Sequence, residues 1–155
     1  MKNQQGFSLI ELLIVVVIIG IIAAIAIPNL LATRRAANEG SAVSLMRTLH
    51  SANATYQASV GSGKFAANLA ALNSSGFIDD NVTTATTPAT SKSGYFYTYD
   101  GIDVSDNPSN YNIIAEPTSS NPITATGTRE FFVDSSGVIR TAPTSVSLAS
   151  PPFNN

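Results

Sequence analysis

The chain contains no cysteine, no tryptophan and a single histidine. Charged residues make up 12% of it, about half the usual share of a soluble globular domain. Without cysteine no disulfide can staple an exported domain, and no thiolate is available for zinc or an iron–sulfur cluster. The one imidazole, His50, lies beside an apolar helical stripe, where a packed structural role is the simpler reading. Nucleophilic catalysis would need a base next to a Ser or Cys, and no glycine-rich phosphate loop is present either. These absences argue against an enzyme and against a resident cofactor. With 8 basic and 10 acidic residues the net charge is −2, which gives no basic footprint for nucleic acid.

What the chain has in abundance is apolar sequence in one place. Phe7 to Ile27 reads FSLIELLIVVVIIGIIAAIAI, and from Leu12 onward every side chain in it is apolar or glycine. At the rise of an α-helix this run spans roughly 30 Å, enough to cross a hydrocarbon core. A buried strand needs only about 5–6 residues, so the run is several times too long for one. Before it stands a polar leader, Met1 to Gly6, with one positive charge at Lys2. A secretory signal would put its cleavage site behind the apolar run, where Ala24-Ile25-Ala26 is only a poor match. Glu11 is the anomaly. A carboxyl group inside a membrane helix costs about 2.5–3.5 kcal/mol on insertion scales, so such a group is functional by default.

Gly6-Phe7-Ser8-Leu9-Ile10-Glu11, followed by the apolar run and Pro28, resembles the class III signal of type IV pilins and the related type II secretion pseudopilins. The resemblance implies cleavage between Gly6 and Phe7 by a prepilin peptidase and N-methylation of the new Phe7 amine. It also implies that Glu11 pairs with the Phe7 amine of a neighbouring subunit, with Pro28 shaping the helix for assembly. Two opposite charges in a low-dielectric bundle are costly alone and attract when paired. The fold implied is α+β: the type IV pilin fold, one very long N-terminal helix with a 3–4-stranded antiparallel β-sheet packed on its second half. The expected organisation is a leader at 1–6, a transmembrane and filament-core half of the helix at 7–33, and a globular head at 34–155. Many pilins close a C-terminal loop with a disulfide, and this chain, lacking cysteine, departs from that pattern.

Beyond Pro28, which should kink or locally unwind the helix near Gly20 to Ile27, helical spacing resumes. Ala42, Leu45, Leu49, Ala52, Tyr56 and Val60 form one apolar stripe, with Arg34, Arg35, Asn38, Glu39 and Arg47 mostly off it. Arg35 and Glu39 form an i,i+4 pair. Gly61 or Gly63 can take the left-handed cap that ends a helix of about 80 Å. Arg34 and Arg35 beyond the apolar run, against Lys2 before it, argue for the opposite orientation on the positive-inside rule; the resemblance keeps the leader cytoplasmic.

Leu69, Leu72 and Phe77 can pack a short helix and turn against the stripe. Asn81 to Ser93, rich in Thr, Ala and Ser, reads as an exposed loop, and its threonines are candidate O-glycosylation sites. Strands follow: Gly94–Tyr99 with Tyr95, Tyr97 and Tyr99 on one face, Tyr111–Ala115 ended by Glu116-Pro117, Thr128–Val133 and Gly137–Thr141. Asp134-Ser135-Ser136-Gly137 should be a hairpin loop with Gly137 at positive φ. The tail from Ala142 reads as irregular. The aromatic residues are explained as sheet core and cross-strand pairs. Asp100, Asp103 and Asp106 are candidates for a calcium site, although their spacing fails the EF-hand pattern; otherwise no metal is expected.

The functional expectation is a structural subunit that polymerises with copies of itself into a type IV pilus, serving adhesion, twitching-type motility or DNA uptake. Its partners would be the inner membrane before assembly, the prepilin peptidase and the pilus assembly machinery. Its location would be single-pass in the bacterial cytoplasmic membrane as precursor, then extracellular. A type II secretion pseudopilin is the alternative within the same superfamily. A monomeric, signal-anchored exported protein is the alternative from another class.

Overall fold

The computed structural model describes residues 7–102, 109–119, 121, 124–143, 147 and 149–153. Its first element, α1 (Leu9–Ser59), is one helix of 51 residues with Pro28 inside it. The chain divides into two compact units between Arg34 and Arg35.

In the first unit α1 is apolar and long enough to cross a membrane, and none of its most apolar window is buried within the chain. Leu9, Ile14, Val17, Ile21, Ile25 and Leu30 are all at least half exposed. The expected unwinding over Gly20 to Ile27 does not occur: each of these residues is helical. Pro28 cannot donate to the carbonyl one turn back. Beside it, polar side chains fold onto the helix's own backbone, Asn29 Nδ2 donating to Ile25 O (3.1 Å) and Thr33 Oγ1 to Asn29 O (2.9 Å). Such bonds leave few polar groups needing water in a segment that would have none.

In the second unit a four-stranded antiparallel sheet packs on residues 35–59 of α1, the α+β arrangement expected. Its strands β1 (Tyr95–Gly101), β2 (Tyr111–Pro117), β3 (Glu130–Asp134) and β4 (Arg140–Ala142) lie in chain order. Tyr97 stands opposite Ala115 and Ala115 opposite Phe131, while Ile113 faces Val133. The alternation of strands then puts Tyr95, Tyr97, Tyr111, Ile113, Phe131 and Val133 on one buried face. The tyrosines of β1 therefore point inward as their spacing predicts. Two short helices complete the unit: α2 (Leu69–Ser74), capped by Asn68 Oδ1 accepting from Ala71 N–H, and α3 (Asp80–Thr83). Leu69 and Leu72 join the core, with Phe77 partly buried against it. The β3–β4 turn closes as expected, Gly137 donating its N–H to Asp134 O (3.0 Å) at φ +74°. Past α1, Gly63 takes positive φ.

Two further expectations are corrected. The buried stripe of α1 is Glu39, Ala42, Val43, Met46, Leu49, Ala52 and Asn53, while Val60 is 56% exposed. Leu45 and Tyr56 are only partly buried. The true stripe includes two polar residues, each also bonded to a group beyond the helix, and apolar spacing alone does not choose between this face and its neighbour. The segment from Asn81 to Ser93 is not wholly exposed: Val82 and Ala85 are buried, and Ala85 O accepts the N–H of Tyr97 (2.8 Å) at the outer edge of β1. An edge strand leaves unpaired N–H groups, and this segment satisfies one of them. The described residues of the tail past Ala142 are irregular as expected, though anchored: Pro152 bridges to Arg140, and Phe153 packs edge-on against Phe131 at 5.6 Å.

Candidate functional site

The N-terminal turn of α1 is built from its own sequence. Ser8 stands at the N-cap position, and Glu11, three residues on, turns its carboxylate back so that Oε2 accepts the Ser8 backbone N–H at 2.9 Å. That is half of a capping box, placed at the positive end of the helix. A helix end leaves four N–H groups without partners, and in lipid each orphan is costly. The Ser-x-x-Glu spacing is legible in the sequence, but weighing Glu11 only as a buried charge passes over it. A carboxylate has about four acceptor positions, so a single bond leaves room for a cation. Phe7 is 79% exposed at the same helix end. Pro28 lies about 25 Å further along the helix and is not brought together with these two. Gly6 lies outside the described residues.

Of the three candidate calcium ligands only Asp100 is among the described residues. Asp100 stands in β1 opposite Asn112, and Asp103 and Asp106 lie outside the described residues. Among the described residues no three His, Cys, Asp or Glu side chains gather. His50 is part of the head's packing, its Nδ1 2.7 Å from the Tyr111 hydroxyl.

A second polar centre escaped sequence reasoning. Glu39 Oε1 accepts from the Thr128 backbone N–H (2.8 Å) and hydroxyl (2.7 Å); Oε2 accepts from Arg129 Nε (2.9 Å) and Nη2 (2.6 Å). Burial by itself would raise the Glu39 carboxyl, but the Thr128 N–H, the Thr128 hydroxyl and Arg129 outweigh it, and the net shift is downward. The Arg129 guanidinium in turn lies over the rings of Phe131 and Phe153. A second link joins helix and sheet: the Tyr99 hydroxyl is within hydrogen-bond reach of Asn53 Oδ1 (2.8 Å) and Ala66 O (2.6 Å). These contacts hold the sheet to the helix.

Residues 1–27 match the family described as the prokaryotic N-terminal methylation motif. The chain is 43% identical over 76 residues to the type IV wide pilus major component PilA4 of Thermus thermophilus, covering 49% of this chain and 56% of that protein. It is 40% identical over 57 residues to the type II secretion system core protein G of Vibrio cholerae, covering 37% and 39%. A third relative is the type IV major pilin protein PilA of Myxococcus xanthus, 44% identical over 54 residues, or 35% of this chain and 24% of that one. The matches thus span between about a quarter and just over half of these relatives' own lengths. The chain carries the prokaryotic N-terminal methylation motif and is homologous, over a third to a half of its length, to type IV pilins and to type II secretion core proteins G.

Proposed function

We propose that the protein is a pilin-like structural subunit that polymerises into a type IV pilus. The observation that carries this reading is the state of the first helical segment, whose large side chains from Leu9 to Leu30 all stand exposed within the chain. Burying an aliphatic side chain of this size is worth about 1.5–3 kcal/mol, so a dozen of them cannot stay in water. Lipid covers them before assembly, and the same segments of other subunits cover them afterwards.

In this reading a prepilin peptidase cuts between Gly6 and Phe7, and the new Phe7 amine is N-methylated. Glu11 then accepts the charged Phe7 amine of a neighbour, which sets the axial register of helices that could otherwise slide. The precursor sits in the cytoplasmic membrane with its leader inside, and the finished filament is extracellular. Support for a pilus over a short secretion piston comes from the PilA4 match, which covers a larger share of its relative than the core protein G match does. The second reading, a type II secretion pseudopilin, is favoured by the 40% identity to core protein G.

Shearing cells and weighing the N-terminus of what is released tests all of this. Long fibres whose subunits begin at methylated Phe7 are expected. A processed protein that never leaves the envelope and whose loss blocks secretion supports the pseudopilin. Protein that retains Met1 to Gly6 and never polymerises overturns both.

A further inference from the structure

Three asparagines of the chain begin an Asn-x-Ser/Thr triplet with no proline at the middle position: Asn53-Ala54-Thr55, Asn73-Ser74-Ser75 and Asn81-Val82-Thr83. That triplet is the acceptor pattern for N-linked glycans in exported proteins. The structure separates the three. Asn53 is fully buried, its Nδ2 donating to Leu49 O and its Oδ1 lying 2.8 Å from the Tyr99 hydroxyl. Asn73 is half-buried, and its Nδ2 donates to both Ile78 O (3.0 Å) and Asp80 Oδ1 (2.9 Å). Asn81 is exposed, and among the described residues its amide has no hydrogen-bond partner.

A second feature falls on the same asparagine. A carboxylate two residues before the acceptor would give a basic group on a transferase something to hold. Ser51 and Ala71 stand there for Asn53 and Asn73, but Asp79 stands there for Asn81. Asp79 is exposed, and although it occupies the N-cap position of α3 its side chain makes no capping bond. The adjacent Asp80, by contrast, is engaged by Asn73. The Thr83 hydroxyl makes only a long bond, 3.4 Å to Asp79 O. Acid, amide and hydroxyl are therefore all uncommitted or weakly held. The backbone is the remaining obstacle, because an acceptor asparagine must bend away from the protein to enter an active site. Here it belongs to a helix of four residues, which is too short to hold itself together cooperatively, so the buried Val82 is the main side chain that must leave the core for the acceptor to bend out.

We infer that Asn81 is an N-glycosylation site, served by a membrane transferase that uses a polyprenyl-diphosphate-linked glycan. In the step, Asn81 Nδ2 attacks C1 of the first sugar. The N–C1 bond forms as the C1–O bond to the diphosphate breaks, and the amide proton leaves with the polyprenyl diphosphate. The inference rests on the reading that the head is exported, since both transferase and glycan donor act on that side of the membrane.

The test is mass spectrometry of the full-length protein from its own host, taken from sheared fibres or from membranes. Trypsin releases Phe65–Lys92, which holds Asn73, Asn81 and the threonine-rich segment on one peptide. A glycan mass on that peptide, localised to Asn81 by electron-transfer fragmentation, is the expected result. It should vanish in Asn81→Gln, fall sharply in Asp79→Asn and persist in Asn73→Gln, with all three proteins made at equal levels. The inference is overturned if the peptide has its unmodified mass, or if the added mass sits on a threonine. Phe7 methylation is read in the same digest. A processed N-terminus with a bare Asn81 sinks the glycan alone, whereas an unprocessed N-terminus sinks the filament reading.

Discussion

Glu39 shows how one side chain can decide where a sheet sits. Its four hydrogen bonds satisfy a carboxylate that is only 7% exposed. Replacing it with Gln keeps an acceptor for Thr128 but removes the charge facing Arg129. Arg129 is itself 41% exposed, so solvent screens part of the loss, and a cost of about 1–2 kcal/mol follows. Its depressed pKa fixes the sign of the pH effect. The stability Glu39 contributes is present above the ordinary carboxylate range, about 4.3, and is lost as pH falls through the lower folded value. Glu116 works the other way, raised first by burial and then by the nearby Glu130. The clean measurement is therefore the difference between wild type and Glu39→Gln in thermal melts of the detergent-solubilised protein. That difference should shrink between pH 6 and the acid limit, and a constant gap would refute the assignment. Gly137 makes a second prediction at this scale. A Cβ there would come within 2.7 Å of His50 Nε2, at a φ of +74° that side chains rarely adopt. Gly137→Ala should cost about 1–3 kcal/mol. Adding His50→Ala should recover the clash but not the backbone strain, and a melt of the double variant separates the two.

At the scale of elements, the two versions of the α1 stripe make opposite predictions. Met46 is fully buried and Val60 is 56% exposed. Met46→Ala should destabilise the head by about 2–4 kcal/mol through lost contact and a cavity, and Val60→Ala by less than about 0.5 kcal/mol. Equal effects would restore the stripe read from the sequence. The strands were more legible than the helix face. Period-two alternation over Tyr95, Tyr97 and Tyr99 identified the inward side, and the turn residues Asp134 to Gly137 identified the hairpin. In the helix, Leu45 and Tyr56 satisfy the same apolar spacing as Val43 and Met46, and what tells the two faces apart is the pair of polar residues Glu39 and Asn53. The fate of Val82, Ala85 and Phe153 was illegible for a related reason: each is one apolar residue in polar surroundings, and a single residue has no period to read.

For the whole molecule the test lies in the N-terminal segment. Glu11→Ala removes the carboxylate that caps the helix end at Ser8 and that, in the proposed filament, would meet a neighbour's Phe7 amine. The variant should still insert, because deleting a charge from an apolar helix favours the membrane, yet fibre recovered by shearing should fall severely. Normal fibre from the variant would remove the charge pair from the account. A bulky residue in place of Gly6 should leave an unshortened band on a gel, since the cut is proposed to fall after it.

The sequence by itself determined the apolar first half of α1, the capping spacing of Ser8 and Glu11, the methylation motif and the inward faces of the strands. All of these are written within a few turns of helix or a few residues of strand. Only the tertiary structure decided that Glu39 and Asn53 are interior, and which of three acceptor asparagines stands free. Thr128 and Arg129 reach Glu39 across 89 and 90 residues of chain. A polar residue is buried only when a distant partner satisfies it, and no local pattern records where that partner will be.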